Sequence, residues 1–216
     1  MKIALIIAAG GVGTRFGVGY PKQFATFQDQ PVLVRTLAAF TSFNFTECIV
    51  TAPENEIGKT QALCDSVSFN CPVHVIQGGQ TRAESIRNAM LTCSECDYVL
   101  IHDAVRPFIA KDVIQRVIDQ LPNATGVIPV VAVTDTIKKV HNGKVVESLD
   151  RSELVAVQTP QGVAYEIYLD IIKKQTTFSK HITDDASLLE FYGHDVLAVT
   201  GDIANKKITY QEDLNR

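Results

Sequence analysis

The sequence predicts a single α/β domain: a mixed, mostly parallel sheet with helices on both faces and one protruding β-hairpin. Three observations carry this. Residues 3–9 (Ile-Ala-Leu-Ile-Ile-Ala-Ala) form a continuous apolar run that opens into a glycine-rich loop. Such a run fits a strand buried on both faces of a parallel sheet. Strand-like and helix-like stretches then alternate down to residue 133, the rhythm of a βαβ series. Asn142-Gly143, between two short β-like runs, supplies the positive φ angles of a hairpin turn.

Taken in order, the first strand ends in Gly10-Gly11-Val12-Gly13-Thr14-Arg15, followed by Pro21-Lys22-Gln23. Glycines let backbone N–H groups converge on phosphate oxygens, and Arg15 and Lys22 would neutralise their charge. A tight strand-to-helix turn with two solvated cations uses the same residues, and composition alone leaves both open. The run is not a P-loop, which ends in Gly-Lys-Ser/Thr, nor a dinucleotide fingerprint, which needs a glycine where Phe16 stands. Residues 31–40 have helical spacing, with Pro31 suited to the first turn. Residues 48–52 read as a strand, 54–66 as a helix, and 73–76 as a strand ending at Gly78-Gly79. Residues 81–91 read as a helix, and 98–101 as a buried strand ending at His102-Asp103. A helix over 111–121 and a strand over 126–133 complete the alternation.

The segment from 134 to 152 breaks the rhythm as an arm, with strands at 137–140 and 144–147. A lone two-stranded ribbon is marginal in water, so it must pack on this subunit or another. Beyond it, residues 163–174 read as a helix, and Thr183 as the cap of a second one. Asp184 and Asp185 in its first turn complement the dipole. Residues 195–200 read as a strand, 207–210 as a last short strand, and 211–214 as a closing helical turn. No repeat or linker divides the 216 residues, so one domain is expected.

Composition excludes several function classes. With 20 Lys+Arg against 24 Asp+Glu, the net charge of −4 gives no bulk reason to bind nucleic-acid polymers or anionic membranes. No apolar stretch approaches a membrane span. The charged-then-apolar start runs straight into the glycine loop and reads as a strand, not a signal peptide. Five scattered cysteines favour a reducing, cytoplasmic setting. Cys93-x-x-Cys96 has no partner pair for a four-ligand zinc site.

Two further motifs lie at predicted strand ends. Gly78-Gly79-Gln80-Thr81-Arg82-Ala83-Glu84-Ser85 could bring backbone close to a base or ribose; it could also be an ordinary turn with Thr81 as helix cap. His102-Asp103-Ala104-Val105-Arg106-Pro107 puts a carboxylate where it could hold Mg²⁺ or polyol hydroxyls, or simply pair with Arg106. His102 reads as a buried hydrogen-bonding residue. In α/β sheets the ligand crevice lies beyond the carboxyl ends of the strands, so one sheet edge collects the candidate chemistry.

In order along the chain stand Ala-Gly-Gly-x-Gly-Thr-Arg, Pro-Lys-Gln-Phe, Gly-Gly-x-x-Arg-x-x-Ser, His-Asp-Ala-Val-Arg-Pro, Asp-Thr-Ile-Lys, Asp-Arg, Gln-Thr-Pro-Gln, Thr-Asp-Asp-Ala-Ser and Lys-Ile-Thr. Nearly end to end, the chain resembles the 2-C-methyl-D-erythritol 4-phosphate cytidylyltransferase family and its relatives, the ribitol 5-phosphate cytidylyltransferases. The resemblance implies a Rossmann-like fold of the nucleotide-diphospho-sugar transferase type, CTP as co-substrate with Mg²⁺, and a homodimer through exchange of β-arms. It implies that Arg15, Lys22, Arg151 and Lys207 are catalytic. Ala9, Gly10, Gly11, Gly13, Gly79, Gln80, Arg82 and Ser85 would hold the nucleotide. Asp103, Arg106, Thr136 and Thr159 would meet the acceptor, with Thr136 and Arg151 reaching the partner's site, and Asp103 is the candidate Mg²⁺ ligand.

Ala-Gly-Gly and Val105 lean toward the ribitol relatives. Thr-Asp-Asp-Ala-Ser and Val-Gln-Thr-Pro-Gln-Gly lean toward the methylerythritol enzymes, and that acceptor is favoured. Ala204 stands where Asp is common, and of the pair Lys206-Lys207 only Lys207 is in register. A catalytically inactive CTP-binding module is the reading from another class, against which the intact Arg15, Lys22, Asp103 and Lys207 count.

Overall fold

The computed structural model describes residues 1–11, 16, 20–175 and 182–214. Its strands are β1 (Ile3–Ala8), β2 (Thr26–Phe27), β3 (Gln30–Pro31), β4 (Cys48–Ala52), β5 (Val73–Gln77), β6 (Tyr98–Asp103), β7 (Gly126–Ala132), β8 (Lys138–His141), β9 (Lys144–Ser148), β10 (Val155–Val157), β11 (Gln161–Ala164) and β12 (Val196–Thr200). The α-helices are α1 (Val32–Ala38), α2 (Ile57–Asp65), α3 (Arg82–Thr92), α4 (Lys111–Gln120), α5 (Tyr165–Lys174) and α6 (Asp185–Phe191).

Eight of these strands form one sheet in the order β10-β7-β11-β6-β1-β4-β5, with β12 on β7. β1 lies between β4 and β6, parallel to both, as an all-apolar strand buried on both faces should. β5 extends the parallel run beside β4, and β12 pairs parallel with β7. β10 and β11 alone run against the rest. They are separated by the cis Thr159-Pro160 bond and pair with successive stretches of β7.

Alternate β1 side chains feed the two faces. Leu5 and Ile7 pack with Leu33 and Leu37 of α1 and Val113, Ile114 and Val117 of α4. Ala4 and Ile6 pack with Ile86 and Met90 of α3, Tyr168 and Ile172 of α5, and Leu188 and Leu189 of α6. A third cluster, with Phe16, Phe27, Val32 and Ile208, lies at the carboxyl edge of the sheet.

The β8–β9 hairpin pairs only with itself among the described residues. Asn142 and Gly143 have φ of 48° and 74°, as a type I′ turn requires. Val140, Val145 and Val146 are 58%, 61% and 56% exposed, so the arm lacks the apolar cover that ribbons need.

Several expectations are corrected. β10 and β11 are strands that the sequence did not signal, and residues 163 and 164 belong to β11 instead of to α5. Pro31 stands just before α1. Asp184, and not Thr183, caps α6: its side chain accepts from Ser187 N while Ser187 Oγ accepts from Asp184 N, a reciprocal capping box. Residues 207–210 form no strand. Ile208 N donates to Val105 O (2.8 Å), while Thr209 N and Tyr210 N both donate to the Asp213 carboxylate (2.8 and 2.9 Å), leaving no ladder.

Because Ile6 is fully buried in the central strand, Ile6→Ala is expected to cost about 2–5 kcal/mol of unfolding free energy, read from urea denaturation.

Candidate active site

β1, β4, β5 and β6 deliver their carboxyl ends to one edge, where a cleft of about 360 Å³ opens. On its wall the first glycine loop is held from beneath. Thr51 Oγ1, in β4, accepts from both Ala9 N and Gly10 N (3.1 Å each). Buried Gln23 donates its side-chain amide to Ala9 O (2.6 Å) and Gly11 O (3.1 Å). Gly10 is required by contact: a Cβ there would lie 2.7 Å from Ser85 Oγ and 3.2 Å from Gly78 Cα. The backbones leaving β1 and β5 thus touch at the wall of the cleft. Gly13 and Arg15 lie outside the described residues.

The second loop is both a cap and a cleft wall. Thr81 Oγ1 accepts from Glu84 N (3.1 Å), the Glu84 carboxylate accepts from Gln80 N (2.7 Å), and the pair starts α3. Ser85 Oγ donates to Thr81 O (2.9 Å) and accepts from Gly79 N (3.0 Å). Gly79, Gln80, Arg82 and Ser85 all line the cleft.

At the end of β6 stands Asp103, only 5% exposed. Arg82 Nε lies 3.0 Å from Oδ1, Lys207 Nζ 2.8 Å from Oδ2 and Arg106 Nε 3.5 Å from Oδ2. Burial alone would raise its pKa, but these three cations outweigh it and hold the carboxyl far below the usual range. Asp103 N donates to Thr159 Oγ1 (3.1 Å), which also hydrogen-bonds His102 Nδ1 (3.0 Å). His102 is fully buried, its pKa pushed down to about 3 chiefly by that burial, so it is neutral and structural at pH 7.

One expected role changes, and two residues expected at the acceptor sit one layer back. As a protein ligand for Mg²⁺, Asp103 does not fit. Its oxygens face three cations, and the described residues hold no group of three His, Cys, Asp or Glu suited to a metal. Arg106 and Thr159 stand behind Asp103 and do not line the cleft. Arg106 Nη1 donates to Asn205 O (2.8 Å), tying down the segment that carries Lys207, while Thr159 fixes Asp103.

Lys22 and Lys207 both line the cleft, as the motifs imply. Lys22 Nζ donates to Ile208 O (3.0 Å), whereas Lys206 is exposed. Thr136 and Arg151 are exposed on the arm and its base, away from the cleft lining, and Arg151 donates to Thr134 O (2.6 Å). The Cys93 and Cys96 thiols are buried and donate to Ser94 O and Tyr98 O.

Residues that sequence reasoning gave no site role are Thr51, Gln23 and Asp185. Asp185 accepts from Arg82 Nη2 (2.7 Å) and Tyr168 OH (2.7 Å). The Pro-Lys-Gln and Thr-Asp-Asp motifs contained two of the three; Gln23 reaches back to the first loop, and Asp185 meets Arg82, 103 residues away.

The model of the family described as IspD, 2-C-methyl-D-erythritol 4-phosphate cytidylyltransferase, matches residues 3–216. The chain belongs to this family. A relative from Bacillus cereus with that name is 41% identical over 213 residues, covering 97% of this chain and 93% of its own. Among solved structures, the 4-diphosphocytidyl-2C-methyl-D-erythritol synthase of Anaerococcus prevotii superposes with a TM-score of 0.86 at 25% identity, covering 99% of this chain and 95% of that one. The IspD of Francisella tularensis gives 0.82 at 28% identity, covering 100% and 97%. Membership makes the protein a cytidylyltransferase and agrees with the mixed sheet.

Burial of His102 has a thermodynamic consequence. Its folded pKa of about 3 lies below the unfolded value, so the unfolded chain binds the extra proton and stability falls as pH drops below 6.5 toward 3. Urea unfolding at fixed pH values between 4 and 6 should show this as a slope of up to about 1.4 kcal/mol per pH unit, removed in His102→Gln.

Proposed function

We propose that this cleft carries the family reaction through the residues described above. The phosphate of 2-C-methyl-D-erythritol 4-phosphate attacks the α-phosphorus of CTP, giving 4-diphosphocytidyl-2-C-methyl-D-erythritol and pyrophosphate, a step in isoprenoid precursor synthesis. The observation that carries the reading is the convergence of two glycine loops with Lys22, Arg82 and Lys207 on one cleft.

The nucleophile is already an anion, so no general base is needed. Catalysis is alignment of two anionic substrates plus neutralisation of the charge that develops at phosphorus. Lys22 and, by resemblance, Arg15 act on the triphosphate. The backbone of residues 9–11 and 79–80, aided by Gly13, Arg82 and Ser85, seats the nucleotide. Lys207, held by Asp103, faces the acceptor phosphate. Mg²⁺ bound with CTP would add positive charge at the triphosphate; the described residues hold no group of three His, Cys, Asp or Glu that would grip it.

The whole chain acts as one nucleotidyltransferase domain whose arm, residues 134–152, exchanges with that of a second copy. The exposed valines of β8 and β9 support this, and the exchange would bring Thr136 and Arg151 to the partner's acceptor. No described helix is long and apolar enough to cross a membrane, in keeping with a cytoplasmic enzyme. The B. cereus and F. tularensis relatives bear the methylerythritol name, which weighs against the ribitol reading.

Pyrophosphate release with CTP and Mg²⁺ should be strong with 2-C-methyl-D-erythritol 4-phosphate and weak with D-ribitol 5-phosphate; the reverse order would overturn the acceptor assignment. Lys22→Ala should lower kcat by about 10²–10³-fold with the fold intact by circular dichroism. Sedimentation at micromolar concentration should give a dimer, and a Val140→Asp/Val145→Asp variant should give monomers with depressed turnover.

A further inference from the structure

Asp185 fits its place in the first turn of α6, but its surroundings ask for more than a helix-dipole partner. Its side chain is 3% exposed. An ionised carboxylate that deep is costly unless charge and hydrogen bonds compensate it. Arg82 and Tyr168 do so, each at 2.7 Å. Tyr168 is itself fully buried, and burial raises its pKa well above the usual value, so its hydroxyl stays a donor.

Arg82 spends its Nε on Asp103 and its Nη2 on Asp185. A guanidinium is a rigid planar fork, so fixing two of its nitrogens fixes the plane. Asp185 is anchored in turn: its own N and Ala186 N donate to Gln161 Oε1 of β11 (3.0 and 3.1 Å). The orientation of a cation lining the cleft is therefore set by a residue 103 positions away that does not line it.

We propose that Asp185 is a positioning residue for the transfer reaction: it holds the Arg82 guanidinium against Asp103, and so keeps the other Asp103 oxygen for Lys207. This rests on the cytidylyl-transfer reading of the cleft and adds a residue to it. The two carboxylates, Asp103 and Asp185, face three cations, Arg82, Arg106 and Lys207, which leaves one positive charge in excess. With residue 185 neutral the excess becomes two, and Arg82, tethered at one nitrogen only, can follow a bound phosphate. That strengthens ground-state binding while losing the aligned arrangement.

Steady-state kinetics on the full chain with CTP, Mg²⁺ and 2-C-methyl-D-erythritol 4-phosphate test this. Asp185→Asn keeps the shape and an acceptor for Tyr168; it should lower kcat by about 10- to 100-fold while KM for CTP stays level or falls. Because Asp185 acts through Arg82, Asp185→Asn/Arg82→Ala should be no worse than Arg82→Ala alone. A wild-type kcat in Asp185→Asn, a raised KM with kcat kept, or losses that multiply in the double variant would overturn the proposal. Should Asp185→Asn fail to fold, Tyr168→Phe replaces it, with an expected drop in kcat of about 3- to 10-fold that vanishes in the Arg82→Ala background. No drop, or a multiplying one, again overturns it. Wild-type turnover in the same assay separates the two readings. An active wild type beside an unaffected variant refutes only the role of Asp185; an inactive wild type refutes the function and removes the premise of that role.

Discussion

The negative charge buried at the end of β6 is the constraint on which the site depends. Asp103 is nearly inaccessible, and an ionised group there must be balanced at close range. The balance comes from three separate parts of the chain: the start of α3 through Arg82, the turn after β6 through Arg106, and the downstream segment through Lys207. Each cation brings its own segment along. One carboxylate thereby draws two walls of the cleft together, and it does so without being offered to a metal.

Backbone geometry supplies the complementary half. Parallel strands end together, so their loops crowd one edge. Here the crowding is close enough that Gly10 and Gly78 pass within van der Waals range and Ser85 fills the remaining gap. The course of the first loop is set by two buried side chains, Thr51, which takes up the N–H groups of Ala9 and Gly10, and Gln23, which holds the carbonyls of Ala9 and Gly11. A polar surface for anions is thus mounted on a rigid support, the arrangement that positional catalysis needs.

Most of this fold was legible because its signals are local. β1, β4 and β6 announce themselves as short apolar runs before Gly, Pro or Asp, and α3 begins just after Thr81, the residue that caps it. β10 and β11 escaped for a physical reason. They are three and four residues long and are defined by pairing with β7 and β6, not by any periodicity of their own. The putting-together of 207–210 misled in the opposite sense: alternation was present, but its amide hydrogens had other acceptors in Val105 and Asp213. Motif and charge led from the sequence to the glycine loops, Lys22 and Asp103, and the family resemblance to Lys207; all of these that the structure describes lie at the cleft. Asp185 was not legible as a site residue, since nothing near it in sequence points to Arg82, and the helix-dipole role read for it and Asp184 gave a sufficient local account.

The segment after β12 is pinned from several directions: Arg106 holds Asn205 O, Lys22 holds Ile208 O, and the Asn205 side chain donates to Thr159 O at 2.9 Å. Its Lys207 meets a carboxylate 104 residues upstream. Synthesis runs from the N-terminus, and a domain folds as a unit. The chain that forms β1, β4, β5 and β6 is made long before the last cation of Asp103, and one face of β1 waits for α5 and α6. The cleft is complete only once translation has passed residue 207.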